Sequence, residues 1–327
     1  MSRYQQVSKV GEGRFAEVWL AVDTETGQEV ALKRIRTRSH GEKHGTTTAA
    51  AREIQALRKI NHPNVMSLLG EFQDAVWNMT TLVLPKMVLD LDELLRRATK
   101  LLTEGQTKYL MLGVLRGVEA IHQAGLMHRD LKPGNVMLTE TGEIQIGDLG
   151  LAREPPAGPA PLSREVGTLW YKAPELLFGD VRYTNAVDLW ACGCILAHLV
   201  NNAPPFPGST DIEQLCMIVQ ARGTISEETW PEVKQLPDWG KVLFHGNTPI
   251  TMETLAPTCS THARRLIDHL LQYNPLHRPS AGVALEQPFF TAWPPPVDGP
   301  GLLACFPERQ HHKLLDVLVG EGCLPPD

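Results

Sequence analysis

His128-Arg129-Asp130-Leu131-Lys132-Pro133-Gly134-Asn135, followed downstream by Asp148-Leu149-Gly150, sets an Asp, a Lys, an Asn and a second Asp in the order that phosphoryl transfer uses. That chemistry asks little covalent work of a protein, because the reacting groups are mainly positioned and their charge neutralised. On this reading Asp130 accepts the proton of a substrate hydroxyl and Lys132 steadies the moving phosphoryl group. Asn135 and Asp148 hold the Mg2+ ions that bridge nucleotide phosphates. The alternative is a chance loop of charged residues between two helices, since short motifs carry false positives. The surroundings decide between them.

Upstream, Gly11-Glu12-Gly13-Arg14-Phe15-Ala16-Glu17-Val18 has the look of a strand-turn-strand unit whose glycines let backbone approach phosphates without a Cβ in the way. Ala16 stands where the pattern has its third glycine, and alone the run also fits a plain hairpin. Ala31-Leu32-Lys33 follows on the next strand, with Lys33 placed to bind phosphate, and Glu53 on a following helix can pair with it. A lone Lys or a lone Glu is commonly a solvated surface residue. In this order, ahead of the catalytic stretch, the set argues for an ATP site.

Working outward, Val18, Leu20 and Val22 alternate, then Val30, Leu32 and Ile35 follow a Thr26-Gly27 turn, which predicts a β-rich first third. Residues 49–60 are rich in helix formers and end at Asn61-His62-Pro63-Asn64. From Thr103 the period becomes helical, with Leu110, Val114, Leu115, Val118 and Ile121 on one face before Gly125. The run PPAGPAP at 155–161 predicts a loop. WPPPVDGPG at 293–301 predicts broken structure, ahead of a short amphipathic stretch around Leu314, Leu315 and Leu318. No internal repeat is evident.

With 31 Lys+Arg against 37 Asp+Glu, the net charge of −6 gives no footprint for nucleic acid or an anionic membrane as principal partner. The six cysteines, at 192, 194, 216, 259, 305 and 323, lack zinc-site spacing and read as free thiols. Neither a signal-peptide core nor a membrane-length apolar run is found in the 327 residues, so the expectation is an intracellular protein of two lobes.

These residues resemble the cyclin-dependent kinase family from Tyr4 to about Phe290. AAAREIQAL with HPNV, GTLWYKAPELLFG at 167–179, VDLWACGCILAHL at 187–199 and PPFPGSTDIEQL at 204–215 extend the likeness beyond the catalytic loop. DIEQLCMIV, TWPEVKQLPD and EQPFFTAW look most like the cell-cycle-related kinase subgroup. The resemblance implies an α+β, bilobal eukaryotic protein kinase fold. Residues 1–87 would form the β-rich N-lobe, 88–293 the mainly helical C-lobe and 294–327 a tail. Through LVLPKMVLDLDELL it implies Leu84 as gatekeeper, Pro85-Lys86-Met87 as hinge and Asp90 at the ribose, with Val10, Val18, Ala31 and Met137 around the adenine. Those four fit plain core positions equally well. Pro85 keeps the carbonyl that would accept from the adenine amino group and loses only its N–H.

The family pattern further pairs Glu175 with Arg278 and sets Asp188 against the catalytic-loop backbone. It gathers Arg52, Arg129 and Arg153 as a pocket for a phosphorylated activation loop with Ser163 as the acceptor, the alternative being ordinary surface ion pairs. Arg14-Phe15 replaces the family's phosphorylatable Thr-Tyr pair. Gly167 falls where relatives hold a strained residue associated with proline after the phosphoacceptor, while Lys172 replaces an Arg and lacks its bidentate fork. Leu149 replaces the usual Phe as an apolar plug beside Asp148.

The motifs and the family resemblance together imply an ATP- and Mg2+-dependent Ser/Thr kinase acting on protein substrates, in cytoplasm or nucleus. The subgroup resemblance implies action on activation loops of other kinases, or on related kinases in cilia and flagella. The helix at 49–60 keeps the Arg52-Glu53 pair but diverges elsewhere from the best-known cyclin-binding sequence, which leaves a cyclin-like activator open as a partner. A pseudokinase scaffold is the rival reading. It would require loss of Lys33, Asp130, Asn135 or Asp148, and all four are present.

Overall fold

A computed structural model describes residues 3–12, 16–36, 48–74, 79–156, 161–242, 244 and 250–304. Gly13, Arg14 and Phe15, part of the 155–161 run, Cys305, Cys323 and the stretch around Leu314 lie outside the described residues. The chain divides into two compact units. The first comprises 1–97, 133–152 and 299–323, and the second 98–132, 153–298 and 324–327.

In the first unit β1 (Tyr4–Glu12), β2 (Ala16–Asp23), β3 (Glu29–Arg36), β4 (Gly70–Asp74) and β5 (Met79–Pro85) form an antiparallel sheet in the order β1-β2-β3-β5-β4. The Thr26-Gly27 turn is found between β2 and β3, with Gly27 at φ +72° donating its N–H to Asp23 at 2.7 Å. Register and the two-residue period give the sheet two distinct faces. Val18 opposes Lys33, Leu20 opposes Ala31 and Ala31 opposes Leu84 on one of them. On the other, Ala21, Val30, Leu32 and Val83 form the deep cluster, with Tyr4, Trp19 and Phe72 packed against it. The alternation of Val18, Leu20 and Val22 is real, and of the three Val18 is buried while Leu20 and Val22 are half-buried.

Helix α1 (Thr48–Lys59) packs on the Leu149–Leu151 turn, and Leu149 is fully buried there. A small sheet of β6 (Leu89–Asp90), β7 (Val136–Leu138) and β8 (Ile144–Ile146) lies beside α2 (Leu91–Arg97). A last turn, Gly299–Ala304, belongs to this unit too.

The second unit is helical. Helix α3 (Glu104–Gln123) begins at a capping box in which Thr103 and Gln106 satisfy each other's backbone N–H groups, and Gly125 follows its end at φ +73°. Its predicted apolar face, Leu110 to Ile121, is completely buried. After α4 (Pro174–Leu177) comes α5 (Ala186–Asn201), buried on every side from Ala186 to Val200, which makes it the axis on which α3 and α8 pack. Helices α6 (Asp211–Arg222), α7 (Met252–Leu255), α8 (Thr261–Leu270), α9 (Ala281–Leu285) and α10 (Pro288–Thr291) complete the unit.

Residues 292–298 lack regular structure but are held, whereas the last three residues of the run expected to be broken, 299–301, open the Gly299–Ala304 helix. Lys108, buried in α3, donates to the carbonyls of Ala292 at 2.8 Å and Pro294 at 2.7 Å, and Val297 N–H reaches Gly105 at 3.1 Å. Among the described residues Cys192, Cys194, Cys216 and Cys259 are free thiols. No helix among them is long and apolar enough to cross a membrane.

Candidate active site

In the first unit, antiparallel pairing of β2 and β3 puts Lys33 opposite Val18, and α1 presents Glu53 to it. Lys33 Nζ donates to Glu53 Oε1 at 2.9 Å and to Asp148 Oδ1 at 3.0 Å. Both Lys33 and Glu53 are buried, while the Asp148 side chain keeps 22% of its exposure. Burial alone would push the Lys33 ammonium down, but the charges of Asp148 and Glu53 outweigh it and hold the group above its ordinary value. The lysine is therefore a fixed cation.

Asp148 sits at φ +53°, an uncommon conformation for a non-glycine residue, immediately before the buried Leu149. Gly147 N–H donates to the Asn135 carbonyl at 2.9 Å, joining the backbones that carry Asn135 and Asp148. A Cβ on Gly147 would press on the methyls of Met66 and Met137, each 3.1 Å away, so the smallest residue lets these strands close. The hard oxygen donors of Asn135 and Asp148 fit Mg2+, which commonly binds one or two carboxylates together with substrate phosphates.

The residues assigned to the base and ribose fall in this same unit. Gly11 faces Val18 across β1 and β2, with a register shift between Lys9 and Gly11 that falls at the half-buried Val10. Val18, Ala31 and Leu84 share the face of Lys33, and all three are buried. Pro85 pairs with Val30 at the end of β5, and Lys86 bridges Glu29 and Glu140. Met87 and Met137 are buried, and Asp90 pairs with Met137 in the small sheet. Asp90 Oδ1 accepts the Glu93 N–H at 2.8 Å in the first turn of α2, and burial pushes its carboxyl up to about 7.

The second unit holds Asp130 and Lys132, with Lys132 Nζ 3.7 Å from Asp130 Oδ2. Asp130 Oδ1 accepts from both the N–H and the hydroxyl of Thr168, at 2.7 and 2.8 Å. Beneath it, the buried carboxylate of Asp188 accepts the N–H groups of His128 and Arg129, each at 2.8 Å, and lies 2.8 Å from His122 Nε2. Burial works against that carboxylate, but His122 and these donors hold it below its usual range. The same grip supports Arg129 at φ +70°. Glu175 and Arg278 are paired, as the family pattern expects.

Arg153 exchanges backbone hydrogen bonds with Met127, which draws the segments of Arg129 and Arg153 together, whereas Arg52 lies on α1 in the first unit. Ser163 is exposed. Sequence reasoning did not single out Thr168 or Tyr183, whose hydroxyl accepts from Arg129 at 2.8 Å.

Residues 4–290 match the protein kinase domain family. Cyclin-dependent kinase 20 of Danio rerio is 41% identical over 298 residues, 90% of this chain and 86% of the relative. Cyclin-dependent kinase 10 of Homo sapiens is 36% identical over 317 residues, 96% and 85%. A chain in the solved CAK complex from Chaetomium thermophilum bound to ATP-gamma-S superposes with a TM-score of 0.84 at 31% identity, covering 91% of this chain and 94% of that one. The chain belongs to the protein kinase family. Within it, this is a Ser/Thr kinase of the cyclin-dependent type, similar to the cell-cycle-related group.

Proposed function

We propose that this kinase is proline-directed, transferring the γ-phosphate of ATP to Ser or Thr followed by Pro, and that phosphorylation of Ser163 raises its activity. In the transfer, the substrate oxygen forms a bond to the γ-phosphorus while the bond from that phosphorus to the bridging oxygen breaks. The hydroxyl proton passes to Asp130. Lys132 steadies the transferring group, and Lys33, held by Glu53, binds the nucleotide phosphates. Asn135 and Asp148 would hold Mg2+, whose charge offsets that of the phosphates when bound. Gly11 and Gly13 would approach the phosphates, Asp90 the ribose, and Val10, Val18, Ala31, Pro85, Met87 and Met137 the adenine.

One observation carries the specificity. Gly167 sits at φ +81°, where a Cβ would lie 2.8 Å from the Arg129 carbonyl, so the backbone holds without strain the conformation that relatives associate with proline after the acceptor. Lys172, standing in for the family's Arg, pairs with Asp211 at 3.3 Å. A Ser/Thr peptide array phosphorylated with Mg2+ and ATP, beside Asp130→Asn and Ser163→Ala, tests this reading. Activity confined to Ser/Thr-Pro peptides, abolished by the first change and reduced by the second, is expected. Labelling indifferent to the following residue would overturn the specificity.

By resemblance to the cell-cycle-related subgroup, we infer that substrates include activation loops of other kinases or related kinases of cilia and flagella, met in cytoplasm or nucleus. The α1 surface would take a cyclin-like activator. Phosphate mapping on catalytically dead kinase substrates, with and without added cyclins, distinguishes these roles from that of a silent scaffold.

A further inference from the structure

The phenol of Tyr183 is buried at 2% exposure and engaged on both sides: Arg129 donates to it at 2.8 Å, and it donates to the Ser163 carbonyl at 3.1 Å. A cation on the accepting side polarises the O–H toward the carbonyl, so in a low dielectric each bond strengthens the other. Burial raises the phenol above its ordinary value, outweighing the opposing bond from Arg129, and the proton stays on the oxygen.

Two more contacts hold the same stretch. Leu162, itself buried, donates its N–H to the Val181 carbonyl at 2.9 Å. Arg164 pairs with Asp238, and Asp238 in turn donates its N–H to the Phe178 carbonyl at 3.0 Å. Gly179, at φ +79°, leaves the path of that pair open, since a Cβ there would strike both Arg164 and Asp238. The Ser163 hydroxyl, by contrast, points to a single weak contact, the Glu165 carbonyl at 3.4 Å.

We propose that Tyr183 is a positioning residue that couples the activation segment at Ser163 to the catalytic loop at Arg129 in the unmodified chain. The loop at 178–183, rather than a phosphate, then sets the basal geometry of the segment. This rests on Ser163 being the regulatory acceptor. A phosphate on Ser163 competes for the Arg129 guanidinium and supersedes the relay with stronger charge-assisted bonds. Loss of the Tyr183 hydroxyl therefore harms the unmodified enzyme and is masked in the phosphorylated one.

The test uses the full chain as wild type, Tyr183→Phe and Asp238→Asn, each dephosphorylated or carrying phosphoserine at 163 by genetic encoding, with intact mass as the check. Turnover and KM on a Ser-Pro peptide are measured together with tryptic cleavage after Arg164. Tyr183→Phe removes both hydrogen bonds of the hydroxyl, one of them charge-assisted, and should lower kcat of the unmodified form by roughly tenfold or more. It should speed cleavage after Arg164, leave KM for ATP unchanged and cost less than about twofold once Ser163 is phosphorylated. Equal losses in both forms, or none in either, would overturn the relay. If Tyr183→Phe does not fold, Asp238→Asn, which loosens Arg164 at a partly exposed site, must show the same phosphate-masked loss or the proposal fails. A wild type equally active with and without the phosphate would reject Ser163 as the switch, and the unmodified forms would still decide the relay.

Discussion

Arg278 and Glu175 meet through two parallel hydrogen bonds, Nη1 to Oε1 at 2.6 Å and Nη2 to Oε2 at 2.7 Å, with neither side chain more than 1% exposed. The guanidinium spends further donors on the carbonyls of Ala186, Gln272 and Tyr273 and lies over the Trp190 ring at 5.1 Å. It thereby ties α4, just after the activation segment, to α5 and to the turn before α9. Glu175→Ala strands a buried cation and is expected to destabilise the protein by about 3–5 kcal/mol. Arg278→Lys keeps the charge but not the fork, so most of that loss should remain. Urea unfolding of both variants checks this, and a loss below about 1 kcal/mol would mark the pair as no stronger than a surface bridge.

Thr168 gives Asp130 two hydrogen bonds on one oxygen, so the other oxygen of the carboxylate is the one left toward Lys132. Thr168→Ala removes the hydroxyl and keeps the backbone donor. Turnover should fall about tenfold, the worth of one hydrogen bond to a charged group, while KM for ATP stays near wild type. Thr168→Ser should restore the rate. An equal loss in both variants would assign the residue to packing through its methyl group.

Lys33 stands between two carboxylates, so its removal acts twice. Lys33→Met should lower kcat by about 10²–10³-fold, as loss of a fixed charge on the transferring phosphates does. It also leaves Glu53 buried at 3% exposure without its cation, and the melting temperature should drop. Adding Glu53→Gln to Lys33→Met should return most of the stability and none of the activity. Recovery of both together would deny Lys33 a role at phosphate.

Sequence order made the Lys33–Glu53 pair readable, because charges that separate elements bury together imply one another, whereas the second bond of Lys33, to Asp148, emerges only from the fold. The α3 helix was readable for a local reason: Thr103 caps it and Gly125, at φ +73°, ends it. The parts that were not readable depend on distant neighbours. Trp19 and Ala21 are as apolar as Val18 and Leu20, so period alone could not say which face of β2 holds the deep cluster. Lys108 looks like an exposed helix lysine, and only the return of Ala292 and Pro294 explains its complete burial. Thr168 and Tyr183 carry hydroxyls whose partners are 38 and 54 residues away.

Asp90 offers a pH signature that separates its structural role from its proposed one at the ribose. Its carboxyl is pushed up to about 7 by burial at 4% exposure, despite the Glu93 N–H it accepts. An unfolded aspartate titrates near ~3.9. Between those values the folded protein binds more protons than the unfolded chain, so this residue's contribution to stability is intact below the lower value and is lost as pH rises toward about 7. Asn caps helices as well as Asp does and does not titrate. The stability of Asp90→Asn relative to wild type should therefore be flat well below about pH 4, climb through the window and level off above it, with a ceiling of roughly 4 kcal/mol at about 1.4 kcal/mol per pKa unit, read as a shift in melting temperature. A difference independent of pH would mean that the carboxyl is ionised throughout. KM for ATP should rise several-fold in the same variant if Asp90 meets the ribose, and a stabilised enzyme with unchanged KM would confine the residue to capping α2.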